Sequence, residues 1–176
     1  MRNLMSLFLF MILAARLVGA GQLSEAETKE IKNDISFMMT QFNKGNVQVL
    51  LDYMHEPIFA AVGVNKEVYS KIPKQAAEQM AKMAKIDEFS VGTPTELYPA
   101  GKYELCIVPT VMIAEIQGKK LKITSCMIAV RVRTTGQPGW KYLDQSGFDK
   151  NPKLLKILFP DLDSKVTLPP FKTELL

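Results

Sequence analysis

The strongest constraint on the fold is a single change of hydrophobic periodicity near Glu88. Before that residue, apolar side chains recur every three or four positions, which is typical of amphipathic helices. After it, the period becomes extended, and short turn sequences separate the apolar segments. Consecutive strands joined by short turns form an antiparallel meander. The sequence therefore predicts an α+β fold in which N-terminal helices pack on an antiparallel sheet.

The first helix has a clear start and one apolar face. Ser24 and Glu27 form a capping box, in which Glu27 occupies the third helical position. The apolar stripe that follows contains Ile31, Ile35, Met38, Met39 and Phe42.

Two further helices are predicted before the sheet. The second is short, follows Gly45 and ends before Pro57, because the residue before a proline is disfavoured in the α region. Residues 58–62 are predicted to be a strand or an extended connection. Residues 65–84 carry a third apolar stripe and predict a helix that is kinked or divided at Pro73.

The sheet is predicted to be irregular and strongly curved. Pro109 lies inside one long strand, and the apolar phase of the next changes between Ile123 and Ile128. Such features require a β-bulge, an unpaired sheet edge, or other elements packed on both faces of the sheet. The predicted strands are residues 89–98, 102–116, 120–134 and 140–144, and residues 152–159 predict a short C-terminal helix.

Residues 1–20 have the parts of a secretory signal peptide. Arg2 supplies the positive start, residues 4–15 form an apolar run, and Val18 and Ala20 place small residues before the cleavage site. The run is shorter than the roughly 20 residues that span a bilayer. We therefore expect a cleaved, secreted or periplasmic protein without a membrane anchor.

The remaining chain is predicted to be one domain, residues 21–162, with an extended tail, residues 163–176. The whole sequence has 22 Lys and Arg residues against 18 Asp and Glu. Two of the arginines lie in the signal peptide, so the mature chain is close to neutral. Its lysines are scattered, whereas nucleic-acid binding requires a clustered basic face. A nucleic-acid partner is therefore not expected.

Cys106 and Cys126 are predicted to remain unbridged. A hairpin turning near residues 118–119 places Cys106 opposite Arg131 and Cys126 opposite Val111. The two cysteines would then be about 17 Å apart along the strands, whereas a disulfide needs about 6 Å between Cα atoms. Both are expected to be small buried residues.

The sequence carries no recognisable catalytic or metal motif. His55 is the only histidine, and no Cys-x-x-Cys pair, calcium loop or phosphate-binding glycine loop is present. No metal or cofactor is therefore expected. The weak candidates for catalysis are Asp144 and His55, and the candidates for ligand binding are Trp140, Tyr142, Val111, Ile113 and Met80.

The position of Asp144, deep in a cavity or at its rim, distinguishes the enzyme hypothesis from the binding-module hypothesis. Deep in a cavity, its pKa would be raised as a general base requires. At a rim, it would be an exposed residue that caps the following turn. We predict the rim position.

Three segments resemble known families. Residues 42–59 (FNKGNVQVLLDYMHEPIF) and 139–148 (GWKYLDQSGF) resemble the nuclear transport factor 2-like superfamily, which includes ketosteroid isomerase-like domains. Residues 154–162 (LLKILFPDL) are similar to the tail of a group of small uncharacterised exported bacterial proteins. The resemblance implies a bent sheet that wraps a helix to form a conical cavity. A cystatin-like roll is the alternative, although its Gln-x-Val-x-Gly motif is absent.

The leading interpretation is an exported, non-enzymatic domain that binds a small apolar ligand or a protein partner. It is expected to form a homodimer through the open face of its sheet. One alternative is an isomerase, dehydratase or cyclase that uses a carboxylate in the cone. The other is a structural dimerisation module. Only fold-level analogy supports the enzyme.

Overall fold

A computed structural model describes residues 21–64, 84–133, 139–149 and 151–176. The predicted signal peptide lies outside these residues. So does the predicted third helix except for Ala84, and with it the ligand candidate Met80. Among the residues described, no helix is long and apolar enough to cross a bilayer.

The first helix forms as predicted. Helix α1 spans Glu25–Asn43 and begins with the capping box. The Ser24 hydroxyl accepts from Glu27 N at 3.2 Å, and Ser24 N donates to Glu27 Oε2 at 2.7 Å. The stripe residues Ile31, Ile35 and Met38 are buried. The local capping and packing signals are thus both confirmed.

Two short helices follow α1. Helix α2 spans Gln48–Tyr53 and, as predicted, ends before Pro57. Helix α3 spans Pro57–Ala61, so the prediction of an extended segment at residues 58–62 is wrong. Pro57 occupies the start of α3, where its fixed φ angle suits a helix and its missing N–H is not needed. Phe59 anchors the helix in the interior.

Six strands form one antiparallel sheet that does not close into a barrel. The strands are β1 Ala84–Val91, β2 Tyr98–Ala100, β3 Tyr103–Ile116, β4 Lys119–Val132, β5 Lys141–Asp144 and β6 Lys172–Leu175. Strands β1, β3, β4 and β5 are hydrogen-bonded in that order. Strand β2 pairs with the same edge of β3 as β1 does, and β6 pairs with the same edge of β4 as β5 does. The single strand predicted at residues 89–98 is therefore two, separated by residues 92–97.

The β3–β4 hairpin is the centre of the sheet. Its loop is Gln117-Gly118, with φ angles of 52° and 74°. Two positive φ angles in a two-residue loop match the strand twist. Pairing then continues without a shift from Ile116↔Lys119 to Tyr103↔Val132. The change of apolar phase in β4 is consequently not a β3–β4 bulge.

The phase changes because side chains on both faces of β4 are buried. Ala129 faces a cluster with Ile35 of α1 and Val49 of α2, and we call this side the first face. Ile128 faces a second cluster with Phe148, and we call that side the second face. Helix α4, Ser146–Asp149, and helix α5, Lys153–Leu158, cover the second face. Helix α5 confirms the helix predicted at residues 152–159.

Pro109 lies where the neighbour of β3 changes. The carbonyl of Pro109 accepts from Gly92 N at 2.7 Å, and Ile107 N donates to the Thr95 hydroxyl at 2.9 Å. Since alternate residues direct their main-chain groups to the same edge, the missing N–H of Pro109 faces that edge. Residues 92–97 replace a regular strand there, so the predicted irregular edge is confirmed.

The two cysteines are free, buried thiols. Cys106 pairs with Ala129 and Cys126 with Pro109, so the predicted partners Arg131 and Val111 are wrong. The hairpin loop lies one residue earlier than expected, which moves every partner by two. The cysteines are three rungs apart on opposite faces of the sheet, and burial raises the pKa of both thiols to about 12.

Candidate functional site

Asp144 is exposed at the end of β5. Its Oδ1 accepts from Ser146 N at 2.9 Å and also from the Ser146 hydroxyl. The carboxylate therefore stabilises the turn into α4. The prediction of an exposed capping residue is confirmed.

His55 lies among aromatic side chains. The ring stacks on Phe159 at 5.6 Å and meets the edge of Tyr103 at 5.0 Å. The side chain is buried, and Nε2 has no hydrogen-bond partner among the described residues. Burial, with help from Lys102, lowers the pKa of His55 to about 4, and Glu56 opposes this. His55 is therefore a neutral ring at neutral pH.

Trp140 is part of the core on the first face and is 2% exposed. The guanidinium of Arg131 lies over its ring, 4.5 Å from the centroid. Arg131 Nε donates to Glu104 Oε1 at 2.5 Å, and Nη1 donates to Glu27. The Ser24 hydroxyl and the Arg131 guanidinium hold the pKa of Glu27 at about 2, against partial burial. These contacts join β4 to the start of α1 and fix the face of the indole.

Tyr142 also belongs to this core and pairs with a residue that the sequence reasoning missed. Its hydroxyl donates to Asp34 Oδ2 at 2.9 Å. Burial raises the pKa of Asp34, opposed by the Tyr142 hydrogen bond and by Lys141. Burial and the Asp34 charge raise the pKa of Tyr142. Asp34 stands three residues after Ile31 on the buried side of α1, and this spacing was the available signal.

An aspartate with a raised pKa beside a tyrosine hydroxyl is a combination that general base catalysis can use. In the structure, the Tyr142 side chain of this pair is only 2% exposed. The observed role of the pair is to join α1 to β5.

The four predicted ligand-binding residues that the structure describes lie on two different faces of the sheet. Val111 pairs with Thr124 and Ile113 with Lys122, which places both on the second face. Trp140 and Tyr142 contribute to the core of the first face. A sheet separates the two pairs, because alternate residues of a strand point to opposite faces.

An apolar groove lies elsewhere, between helices α4 and α5 and the tail. It has a volume of about 360 Å³. Its lining combines aromatic rings, prolines and leucines with three polar residues: Gln145, Phe148, Asp149, Pro152, Leu155, Thr167, Leu168, Pro169, Pro170 and Phe171. Sequence reasoning assigned none of these residues to ligand binding, although the Leu-Pro-Pro-Phe run was a visible signal.

Gln145 fixes the tail over this groove. It is 3% exposed, its Oε1 accepts from the Ser125 hydroxyl at 3.3 Å, and its Nε2 donates to the carbonyl of Pro169. Pro169 and Pro170 have no N–H to satisfy, so this segment can line an apolar surface at little cost. The tail is consequently a fixed wall of the groove.

No described group of residues is suited to hold a metal ion. Within residues 21–64, 84–133, 139–149 and 151–176, no three His, Cys, Asp or Glu side chains are suitably placed. What the groove offers is apolar surface, the carboxylate of Asp149, the hydroxyl of Thr167 and the fixed amide of Gln145.

Comparison of the chain with known proteins yields no match among family models, curated proteins or solved structures. The function therefore has to be argued from the chemistry of the site.

Proposed function

We propose that this protein is an exported, non-enzymatic binding module that holds a neutral apolar small molecule in the groove between α4, α5 and residues 167–171. The single observation that carries the proposal is the groove itself. Its volume of about 360 Å³ lies within the usual range for small-molecule sites, and its lining is mainly apolar and aromatic. Burial of apolar ligand surface against these side chains would supply the binding free energy.

The charge of the groove favours neutral ligands over anionic ones. Asp149 is the only charged residue among the described residues of the lining. An anionic head group would be repelled by this carboxylate and would meet no cationic side chain among the described lining residues. An uncharged ring or alkyl chain avoids that repulsion.

We also propose the nuclear transport factor 2-like fold, with the sheet curved into a cone around its helices. Support comes from the order of elements, in which α1, α2 and α3 precede an antiparallel meander that ends in β5, with Trp140 just before that strand and Tyr142 within it. The cone would open on the first face. The groove would then be a separate site, because α4 and α5 cover the second face.

Two fluorescent naphthalenes that differ chiefly in a sulfonate test the groove. N-phenyl-1-naphthylamine is neutral, and 1-anilinonaphthalene-8-sulfonate is an anion. We expect the neutral compound to bind at least about tenfold more tightly in a fluorescence titration, or about 1.4 kcal/mol. The Asp149→Asn variant should narrow this difference.

Substitutions on one helix locate the binding. Leu155→Glu should weaken binding of the neutral compound at least about tenfold. Ile157→Glu is the matched control, since Ile157 lies on the same helix but is 59% exposed and does not line the groove. Phe171→Ala tests the tail wall without adding a charge. Equal binding to wild type, Leu155→Glu and Phe171→Ala would overturn the proposal.

A further inference from the structure

Strand β6 has one edge that no residue described by the structure pairs with. Among the residues that the structure describes, β6 pairs with β4 alone, and all four of its residues are exposed. Leu176 N donates to Lys120 O at 2.9 Å. Since main-chain groups alternate along a strand, those of Lys172 and Glu174 also face β4, whereas those of Thr173 and Leu175 face outward. The outward groups form a template for another strand.

The sequence of β6 is complementary to itself in one antiparallel register. When Thr173 lies opposite Thr173 of a second copy, each Lys172 lies opposite a Glu174. Shifting the register by one pair of hydrogen bonds places Lys172 opposite Lys172 or Glu174 opposite Glu174. Opposite charges that face each other across strands stabilise a pair, and like charges destabilise it.

The hydrogen-bonding pattern agrees with the same register. Thr173 directs its main-chain groups outward, so Thr173 opposite Thr173 would be a hydrogen-bonded pair. Lys172 and Glu174 would then form the non-hydrogen-bonded pairs, in which side chains are closest. Leu175, which is 71% exposed, would lie opposite Phe171 and lose much of its contact with water.

We propose that β6 is an interface through which two copies of this chain pair antiparallel, edge to edge, extending the sheet across both. The partner strand is β6 of a second copy, because in the antiparallel register Lys172 of each copy lies opposite Glu174 of the other. Lys122 lies 3.7 Å from Glu174, so two cations would flank each carboxylate. This interface differs from the open sheet face expected from the sequence.

The interface is small. A four-residue strand buries well under the roughly 1,200 Å² of a stable interface. The dimer should therefore be weak and depend on protein concentration. Sedimentation equilibrium, from micromolar to millimolar protein, is a suitable measurement.

Charge reversal gives a test that does not depend on one variant alone. Lys172→Glu creates Glu–Glu pairs, and Glu174→Lys creates Lys–Lys pairs, so each variant alone should associate at least about tenfold more weakly than wild type. An equimolar mixture of the two variants restores both opposite-charge pairs. It should therefore associate about as tightly as wild type.

Control variants distinguish an effect of the β6 charges on association from effects of net charge or of unfolding. Lys165→Glu and Glu96→Lys change the net charge equally at exposed positions outside β6, and each should associate like wild type. A ¹H–¹⁵N spectrum of each variant verifies that β6 stays paired with β4. Intermolecular NOEs between the two Thr173 residues in a mixed-label sample should appear for wild type. Wild-type protein that stays monomeric at millimolar concentration, or a mixture no tighter than the single variants, would overturn the proposal.

Discussion

The side-chain amide of Asn43 pairs with the main chain of Ile86 as a neighbouring strand would. Its Nδ2 donates to the Ile86 carbonyl at 3.1 Å, and its Oδ1 accepts from Ile86 N at 3.1 Å. Asn43 ends α1, and the pairing of β1 with β3 shifts between Ile86 and Glu88. The amide therefore attaches the helix to the sheet where regular pairing is disturbed.

Replacement of Asn43 by Leu should destabilise the fold by about 1–3 kcal/mol, because the buried Ile86 would keep unpaired main-chain groups. Urea unfolding curves of wild type and variant, fitted with one common m value, measure the loss in free energy of unfolding. Asn46→Leu is the control, since the side chain of Asn46 makes an exposed hydrogen bond to the Gln41 side chain at 3.3 Å. Equal losses in the two variants would contradict the role assigned to Asn43.

The stability of the fold should fall as the pH decreases from about 6.5 to about 4 because of His55. The folded-state pKa of about 4 lies below the ordinary value of 6.5, so the unfolded chain binds a proton first in this range. The contribution of His55 to stability is fully present above pH 6.5 and is lost by about pH 4, a change of up to about 3 kcal/mol. Urea unfolding at several pH values tests this.

His55→Phe is the matched variant, since it keeps a ring against Phe159 and Tyr103. Its stability should change less between pH 6.5 and pH 4 than that of wild type. The charges that act on His55 are those of Lys102 and Glu56. Lys102→Gln should therefore raise the pKa of His55 and reduce the loss. Parallel pH profiles for wild type and His55→Phe would refute the assignment.

The parts of the fold that were predicted correctly depend on local signals. The capping box at Ser24, the stripe through Ile31 and Ile35, and the turn residue Gly118 each act within a few positions along the chain. Helix α3 was missed because five residues with four apolar side chains fit a strand as well as a helix. The register of the hairpin was missed because a one-residue error in the loop moves every partner by two.

The site was harder to predict because its contacts are distant in sequence. Tyr142 and Asp34 are 108 residues apart, and Gln145 reaches the tail across 24 residues. Periodicity indicates that a residue is buried but does not identify its partner. Trp140 and Val111 were assigned to one cavity for this reason, and the pairing of strands places them on opposite faces.

Tyr142→Phe should cost about 1–2 kcal/mol of stability, because the partly buried Asp34 would lose a hydrogen-bond donor. Asp34→Asn should have a smaller effect, since an amide oxygen can still accept from Tyr142. A double-mutant cycle with both changes measures the coupling free energy between the side chains. Tyr53→Phe is the control on the neighbouring ring, 6.2 Å from Tyr142. A coupling free energy of zero would show that the contact does not stabilise the fold.

Arg131→Lys should destabilise the fold although the charge is kept. The planar guanidinium makes contacts in three directions: to Glu104, to Glu27 and to the face of Trp140. An ammonium group is a compact point charge and cannot reproduce this fork or the stacked contact. Because the side chain is only 26% exposed, solvent screening is incomplete, and we expect a loss of about 1–3 kcal/mol.

Arg133→Lys provides the comparison for this substitution. Arg133 is exposed, and its Nη1 donates to Gly101 O at a long 3.5 Å. The change there should cost under about 0.5 kcal/mol. Urea unfolding at low and high salt separates the two sites further, because the partly buried contacts of Arg131 are less screened than those of an exposed pair. If Arg131→Lys unfolds at the wild-type urea midpoint, the guanidinium does not hold α1 against the sheet, and the packing of Ile31 and Ile35 alone must do so.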